Sequence, residues 1–341
     1  MTNRRACYTT PGGTRSRTAG DRHDEPACRV DTRADFVSLQ SMMSRARSVA
    51  LALFLSIGVA PPLSAATDDQ PAAASSIFEY DRSADLAVQA SEPVLRDGAF
   101  MTDVSFAGAS GRVRAYVVSP IDASAGSRAG VLYVHWLGTP VTTNRTEFLN
   151  EALALASQGI VSVLVDAMWA TPKWYPNRVP EKDYENSVAQ VIDLRRALDL
   201  LLAQPGVDPS RIAFVGHDFG AMFGIVMGAV DRRPSTYVLM AGTPRFIDWM
   251  LFARQPEDPA AYRAQMAPLD PVRFVAQLAP APVFFQFAAT DEYVSAEAAA
   301  QFYAAAGPRK QMATYAGGHD LQNPEAAADR ITWLVRELAR K

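Results

Sequence analysis

The stretch Ile212–Ala221 constrains the fold of this chain most strongly. It reads Ile-Ala-Phe-Val-Gly-His-Asp-Phe-Gly-Ala, and a helix-compatible apolar run continues to Val230. An apolar run that ends in Gly-x-Asp-x-Gly predicts a strand turning sharply into a helix. Gly216 and Gly220 let strand and helix approach closely, while the turn holds Asp218 in a strained conformation. The pattern therefore predicts a carboxylate above the edge of a sheet, at the N-terminus of a helix.

The beginning of the chain has the pattern of an export signal. A basic segment after Met42 and Met43 precedes the apolar run Val49–Val59, and small residues follow up to Ala66. This predicts a signal peptide over 42–66, cleavage after Ala66, and a periplasmic or secreted protein. The run is too short to span a bilayer, so no membrane anchor is expected after cleavage. Residues 1–41 are arginine-rich and unpatterned, which predicts an over-extended start or a disordered leader.

Composition narrows the classes of site and partner. The formal net charge of −3 does not favour nucleic acid or an anionic membrane surface as a partner. Both cysteines, Cys7 and Cys28, lie in the leader, which argues against a disulfide framework or a cysteine metal site in the main domain. No Gly-x-Gly-x-x-Gly follows a predicted strand and no phosphate loop occurs, so no cofactor is predicted. We expect a small-molecule substrate, and the oligomeric state stays open.

Predicted strands and helices alternate through residues 101–341. This predicts an α/β class domain, with a mostly parallel twisted sheet and helices on both faces. Residues 67–100 are expected to form an extension packed on it. Segment 167–183 contains three prolines and two tryptophans, and 243–278 has no clear period, so these two are expected to form a small lid. Strands are predicted at 102–106, 112–118, 130–135, 160–165, 212–217, 235–241, 282–288 and 310–315, and helices at 144–158, 188–203, 221–230, 296–305 and from 324.

Reactive residues follow four of these strands. His135-Trp136-Leu137-Gly138 follows one, and Asp218, Asp291 and His319 each follow another. The carboxyl ends of parallel strands meet at one edge of a sheet, so these side chains are expected to gather there. The order along the chain is elbow residue, acid, histidine, which is the order found in α/β hydrolases.

Residues 101–341 resemble the α/β hydrolases, in a layout similar to the dienelactone-hydrolase-like branch. Val134–Gly138 resembles the oxyanion segment of that branch, and Asp291 and His319 match its acid and base. Asp218 departs from it, because dienelactone hydrolases carry cysteine there and esterases carry serine. Gly-His-Asp-x-Gly instead resembles the elbow of epoxide hydrolases and of some haloalkanoate dehalogenases. The resemblance implies an α/β-hydrolase fold with Asp218, His319 and Asp291 as catalytic residues.

The carboxylate at the elbow changes the expected chemistry. With an ordinary pKa of about 3.9, Asp218 needs no base to become a nucleophile at neutral pH, and the helix N-terminus favours its charge. A carboxylate can displace a leaving group from a saturated carbon and form an alkyl ester on the enzyme. His319, oriented by Asp291, would then activate water to hydrolyse that ester. The oxyanion would be held by backbone N–H groups, those of Phe219 and of either Leu137 or Trp136.

Three functions remain open at this stage. Epoxides or alkyl halides fit Asp218 best, since its attack on an acyl ester would give a less favourable anhydride. The alternatives are a dienelactone-hydrolase-like esterase or lactonase, and a non-catalytic binding protein on a hydrolase scaffold. A metal site of Asp218, Asp291 and His319 is disfavoured because no fourth ligand is evident, and no metal is predicted. His135 either contacts substrate or braces the oxyanion loop. The residues expected to contact substrate are His135, Trp169, Trp174, Tyr175 and Tyr293.

Overall fold

The structure is a computed structural model that describes residues 76–122, 126–138, 143–252 and 254–339. All of these residues belong to one compact unit, Met42–Lys341. The leader 1–41, the signal peptide 42–66 and the first part of the 67–100 extension lie outside the described residues, so those expectations stay predictions. Among the described helices, none is both long and apolar enough to span a bilayer.

A single ten-stranded sheet forms the centre of the domain. Its strand order is β1-β3-β4-β6-β5-β7-β8-β9-β10, with β2 also paired to β3. The neighbouring pairs β6–β5, β5–β7, β7–β8, β8–β9 and β9–β10 are parallel. Every pair that includes β1, β2, β3 or β4 is antiparallel. The strands are β1 (Gln89–Ala90), β2 (Val94–Arg96), β3 (Ala99–Gly108), β4 (Gly111–Pro120), β5 (Arg128–Val134), β6 (Val161–Val165), β7 (Val207–His217), β8 (Thr236–Met240), β9 (Val283–Ala288) and β10 (Lys310–Tyr315).

Helices cover both faces of the sheet, as the alternating pattern predicts. Asp183–Leu202 and the elbow helix Phe219–Val230 pack on one face, and Leu149–Ala156 and Pro324–Ala339 pack on the other. Every residue of β5, β6, β8 and β9 is buried, as expected for strands that are covered on both faces and are mostly apolar. The α-helices are α1 (Leu149–Ala156), α2 (Trp174–Asn177), α3 (Asp183–Leu202), α4 (Phe219–Val230), α5 (Ile247–Met250), α6 (Pro259–Met266), α7 (Ala296–Ala305) and α8 (Pro324–Ala339).

One predicted helix is shorter than its sequence pattern. A helix was expected over 144–158, but α1 covers only Leu149–Ala156. The side chain of Asn144 accepts a hydrogen bond from the N–H of Thr146, a local turn that competes with helix formation. Arg145 is buried in an ion pair with Asp103 of β3, 2.7 Å away, which holds this segment against the sheet. The prediction is wrong at the N-terminal end because side-chain contacts override the helical period.

The two segments expected to form a lid contain short helices. Segment 167–183 includes α2, and 243–278 includes α5 and α6, with 3-10 turns between them. The hydroxyl of Tyr175 donates a hydrogen bond to the carbonyl of Trp249, and Arg254 Nη1 donates to the carbonyl of Arg178 at 2.9 Å. The two segments therefore contact each other directly.

Candidate active site

The elbow has the strained geometry that its sequence predicts. β7 ends at His217, α4 begins at Phe219, and Asp218 between them has φ 58° and ψ −122°. A Cβ atom on Gly220 would lie 2.4 Å from the carbonyl oxygen of Val134, and one on Gly216 would lie 2.5 Å from the carbonyl oxygen of Gly220. Only glycine permits this close approach, which carries Asp218 to the edge of the sheet.

Replacing Gly220 with alanine is expected to destabilise the protein by about 1–3 kcal/mol, the usual effect of overpacking a tightly packed position. The added methyl group would overlap the carbonyl oxygen of Val134 on the neighbouring strand. Urea denaturation measures the change. Gly126→Ala is a matched control, because its Cβ would meet no atom within 4 Å. Equal stability of the two variants would contradict this account of the elbow.

The structure brings Asp218, His319 and Asp291 together. His319 Nδ1 lies 2.9 Å from Asp291 Oδ2, and His319 Nε2 lies 3.6 Å from Asp218 Oδ2. Asp291 also accepts the N–H groups of Tyr293 and Val294, which orient its carboxylate. His319 is thus held between two carboxylates, one on each side of its ring.

These two carboxylates control the charge of His319. Burial alone would lower the pKa of the imidazole, but Asp218 and Asp291 together raise it to about 10. His319 is therefore an imidazolium at neutral pH. Loss of the charge on Asp218 would remove one of the two groups that raise this pKa.

The charge on His319 predicts that the free energy of unfolding falls as pH rises from about 6.5 to about 10. Its pKa is higher in the folded protein than in the unfolded chain, so across this range the folded state keeps a proton that the unfolded chain has already lost. Urea denaturation of the wild type and of His319→Gln should show that the variant lacks this part of the slope. Identical slopes would contradict the raised pKa.

Two neighbouring N–H groups of the predicted oxyanion loop donate to different carboxylates. The N–H of Leu137 donates to Asp218 Oδ2 at 3.1 Å, so this group faces the site. The N–H of Trp136 donates to Glu147 Oε2 at 2.7 Å, so of the two alternatives, Leu137 and Trp136, only Leu137 directs its N–H at Asp218. Phe219 opens α4 directly after Asp218 and is the second proposed donor. Asp218 Oδ1 is buried and has no hydrogen-bond partner among the described residues.

Two of the expected substrate contacts lie in the packing behind the site. His135 Nδ1 donates to the carbonyl of Trp136, and His135 Nε2 accepts the N–H of Ala167 at 3.0 Å. Burial lowers the pKa of His135 to about 4, so the ring is neutral. Trp169 is 1 % exposed, and its indole N–H donates to the carbonyl of His135. These contacts favour the bracing alternative for His135 and give Trp169 the same position behind the oxyanion loop, so a substrate contact by either side chain stays a prediction.

Two aromatic side chains, Trp249 and Tyr293, pack against His319, and we call them the aromatic roof. Trp174 and Tyr175 belong to the same aromatic cluster, Trp174 through Phe219 and Tyr175 through its hydrogen bond to Trp249. The edges of Trp249 and Tyr293 meet the ring of His319 at centroid distances of 5.6 and 4.9 Å. The indole N–H of Trp249 donates to the carbonyl of Tyr293 at 3.2 Å. Asp218 and His319 are each only 4 % exposed beneath it. The two reactive side chains are therefore almost completely shielded from solvent.

A buried guanidinium lies behind the roof. Arg178 Nε is 3.5 Å from Asp183 Oδ2, and the ring of Tyr175 lies 5.1 Å from the guanidinium carbon. Asp183 also accepts a hydrogen bond from the hydroxyl of Tyr262 at 2.6 Å, a third hydrogen bond between the two lid segments. The three guanidinium nitrogens are buried without a hydrogen-bond partner among the described residues, and the carboxylate of Asp183 balances their charge.

The sequence reasoning did not single out two groups at the site. Glu147 lies before α1 and contacts both Trp136 and His217, and Trp249 forms part of the roof. Neither residue stands in a recognisable motif, although Trp249 falls within a segment that was expected to form the lid. Among the described residues, no group of three or more His, Cys, Asp or Glu side chains has the arrangement of a metal site.

Comparison with solved structures gives the chain a known architecture. It is similar to an acetyl xylan esterase from Paenibacillus sp. R4, with TM-score 0.62 and 17% identity over 81% of this chain and 96% of that one. A second, acetyl xylan esterase 1 from Thermoanaerobacterium sp. JW/SL YS485, has TM-score 0.64 and 15% identity over 80% and 94%. The chain has an α/β-hydrolase fold.

A third similar structure is a cold-adapted esterase from an Arctic intertidal metagenomic library, with TM-score 0.55 and 19% identity over 73% of this chain and 99% of that one. No protein-family model matches the chain, and no curated protein sequence matches it. The three structures share the fold predicted from the elbow and the alternating strands. At these identities the likeness concerns architecture, and the activity must be argued from the site.

Proposed function

We propose that this chain hydrolyses small carboxylic esters, with Asp218, His319 and Asp291 as its catalytic residues. This is the alternative to the epoxide or alkyl halide that the sequence alone favoured. The esterases that share its fold support it. One observation carries the proposal: His319 is bound to Asp291 at 2.9 Å and directs its other nitrogen toward the side chain at the elbow.

The charge on His319 suits a carboxylate at the elbow. A serine nucleophile needs a neutral histidine that can take the hydroxyl proton. A carboxylate nucleophile has no hydroxyl proton that a base must remove, so His319 can begin as an imidazolium. Because its pKa is about 10, His319 carries a proton at neutral pH that it can give to the leaving alkoxide. The site is therefore arranged to act as an acid first and as a base afterwards.

The proposed reaction balances in two steps. Asp218 Oδ1 attacks the acyl carbon, and the resulting oxyanion accepts the N–H groups of Leu137 and Phe219. Collapse breaks the ester C–O bond, the alkoxide takes the proton from His319 Nε2, and a mixed anhydride remains on Asp218. Water then attacks the anhydride while neutral His319 takes one of its protons. The free acid leaves with the second proton, and Asp218 returns as a carboxylate.

A second candidate follows from the carboxylate itself. Attack of Asp218 on a saturated carbon of an epoxide or alkyl halide gives an alkyl ester, which is more stable than an anhydride. The alkoxide of an opened epoxide could take its proton from His319, which is protonated at neutral pH, or from the phenol of Tyr293, whose pKa burial raises to about 12 and which therefore keeps its proton until the alkoxide forms. The similar structures reported above are esterases, so this candidate ranks second.

Mass spectrometry of the elbow separates the candidates. Trypsin should release residues 212–232 as one peptide, because Arg211 and Arg232 flank it. We would incubate the wild type and His319→Gln with p-nitrophenyl acetate, with a small epoxide and with a small alkyl bromide, and weigh this peptide. His319→Gln removes the base that activates water, so an adduct on Asp218 should accumulate. The same reactions with Asp218→Asn control for attack elsewhere.

The outcomes differ for each function. Ester turnover by the wild type with an acyl adduct in His319→Gln supports the ester proposal. A stable alkyl adduct with no ester turnover supports the second candidate. No turnover and no adduct with any of the three reagents overturns both, and would favour a non-catalytic binding protein. Wild-type turnover in H2¹⁸O adds a check, because an alkyl-enzyme ester incorporates label into the carboxylate of Asp218.

We also propose that the protein is exported, on the basis of residues 42–66 alone. N-terminal sequencing of the protein from the periplasmic and secreted fractions tests this. A mature start at Thr67 supports the proposed cleavage after Ala66. A chain that retains residues upstream of Met42 contradicts both the signal peptide and the over-extended start.

A further inference from the structure

A second acid–histidine pair, Glu147 and His217, lies beside the catalytic residues. His217 is the last residue of β7 and is fully buried. Its Nδ1 lies 2.7 Å from Glu147 Oε1, and its Nε2 lies 2.9 Å from the carbonyl oxygen of His319. The proposed reaction uses neither side chain, so this buried pair needs an explanation of its own.

The hydrogen bonds determine how many protons the pair holds. A carbonyl oxygen can only accept a hydrogen bond, so His217 Nε2 must be protonated and must donate a hydrogen bond to the backbone carbonyl of His319. An ionised carboxylate also can only accept, so a second proton must lie between His217 Nδ1 and Glu147 Oε1. The pair is then either an imidazolium with a carboxylate or an imidazole with a carboxylic acid. Both forms have zero net charge.

The pair connects three of the four loops that form the site. The other oxygen of Glu147 accepts the N–H of Trp136 at 2.7 Å, and the indole of Trp136 stacks on His217 with a centroid distance of 5.3 Å. The next residue, Leu137, directs its N–H at Asp218. His217 precedes Asp218 in the elbow and also holds the carbonyl of His319. Displacing the pair would move the oxyanion donor and the histidine together.

We propose that Glu147 and His217 are positioning residues that share one proton. They hold the N–H of Leu137 and the side chain of His319 in position relative to Asp218. This inference rests on the proposed hydrolysis for its effect on turnover. The hydrogen bonds themselves do not depend on that function. The charged or titratable groups that face the pair are Asp218 and His319 at the site, His135 on the oxyanion loop and Arg330 on α8.

Glu147→Gln is the decisive variant. The amide oxygen of glutamine can accept the N–H of Trp136, and its NH2 group can donate to a neutral His217 Nδ1. All three hydrogen bonds and the zero net charge are kept, so kcat and KM for ester hydrolysis should stay within about threefold of the wild type. Glu147→Leu removes these bonds at similar size, and kcat should fall about 10- to 100-fold with KM nearly unchanged. Equal losses in the two variants would overturn the shared proton.

A double variant tests whether the two residues act as one unit. His217→Leu and Glu147→Leu should each lower kcat, and the double variant should lose little more than the worse single variant, because residues in one network are not additive. Additive losses would overturn the pair as a unit. Denaturation curves for each variant establish that the fold is retained at the assay temperature.

Titration of His319 by NMR is the readout that needs no turnover. If Glu147 and His217 share a proton, Glu147→Gln changes no net charge, and the pKa of His319 should match that of the wild type. If Glu147 were instead a bare carboxylate, its replacement would remove a negative charge and lower that pKa. A lowered pKa overturns the shared proton even if no ester is hydrolysed. Absence of ester turnover in the wild type would count against the proposed function alone.

Discussion

Replacing Asp218 with asparagine is expected to lower kcat for ester hydrolysis by a factor of about 10³ or more, as loss of a nucleophile does in other hydrolases. Asparagine has nearly the same shape and tolerates the positive φ of 58° at this position. Its amide oxygen can still accept the N–H of Leu137, which donates to Asp218 Oδ2 in the structure. The change therefore removes the attacking carboxylate while the elbow is kept. Initial rates with a single acyl ester measure the loss.

Asp320→Asn is the matched control for this change. Asp320 is exposed, directly follows His319, and accepts the N–H of Gln322 at 3.3 Å, a bond that asparagine can keep. The same loss of charge near the site should leave kcat within about twofold, as for other exposed substitutions. If Asp218→Asn retained more than about a tenth of the wild-type kcat, the carboxylate would not be the nucleophile, and the binding-protein alternative would gain support.

Replacing Asp231 with alanine is expected to lower the free energy of unfolding by about 3–5 kcal/mol, the cost of removing one partner from a buried ion pair. Asp231 follows α4, and its carboxylate lies 3.2 Å from Arg195 and 2.6 Å from Arg233. The side chain of Arg195 is only 2 % exposed, so the variant would leave a buried positive charge without this carboxylate. Equilibrium denaturation in urea measures the change.

Arg82→Ala tests the same carboxylate from its exposed side. Arg82 lies 3.2 Å from Asp231, but its side chain is 52 % exposed, so its loss should cost less than about 1 kcal/mol. Burial alone would raise the pKa of Asp231, but the hydrogen bond and charge of Arg233 lower it. The stability that this carboxylate contributes should therefore be lost as pH falls below about 4. Similar losses in both variants would contradict the dominance of the buried partner.

Much of the fold could be predicted because its signals are local. The buried strands are continuous apolar runs, and the strand predicted at 310–315 and the helix predicted at 296–305 match β10 and α7. The antiparallel edge also follows the pattern, although β3 and β4 extend a few residues beyond 102–106 and 112–118. Where side chains compete with the backbone, as at Asn144 before α1, the periodic signal fails.

The candidate site was only partly accessible from sequence. Residues placed at the carboxyl ends of parallel strands had to converge, so Asp218, Asp291 and His319 could be grouped without coordinates. Contacts between loops could not be predicted from the sequence. The hydrogen bond from Trp136 to Glu147 and the contact of Trp249 with His319 depend on how loops fold over the sheet, and no period or spacing encodes that.

The sequence by itself determined the α/β-hydrolase architecture and the carboxylate at its elbow, because glycine spacing and runs of apolar residues act through the local backbone. Only the tertiary structure decided what surrounds that carboxylate. It assigns Leu137 rather than Trp136 as the group facing Asp218, places His135 and Trp169 in the packing behind it, and closes the aromatic roof above it. These features arise from side chains far apart in the chain, whose contacts exist only after the sheet has formed.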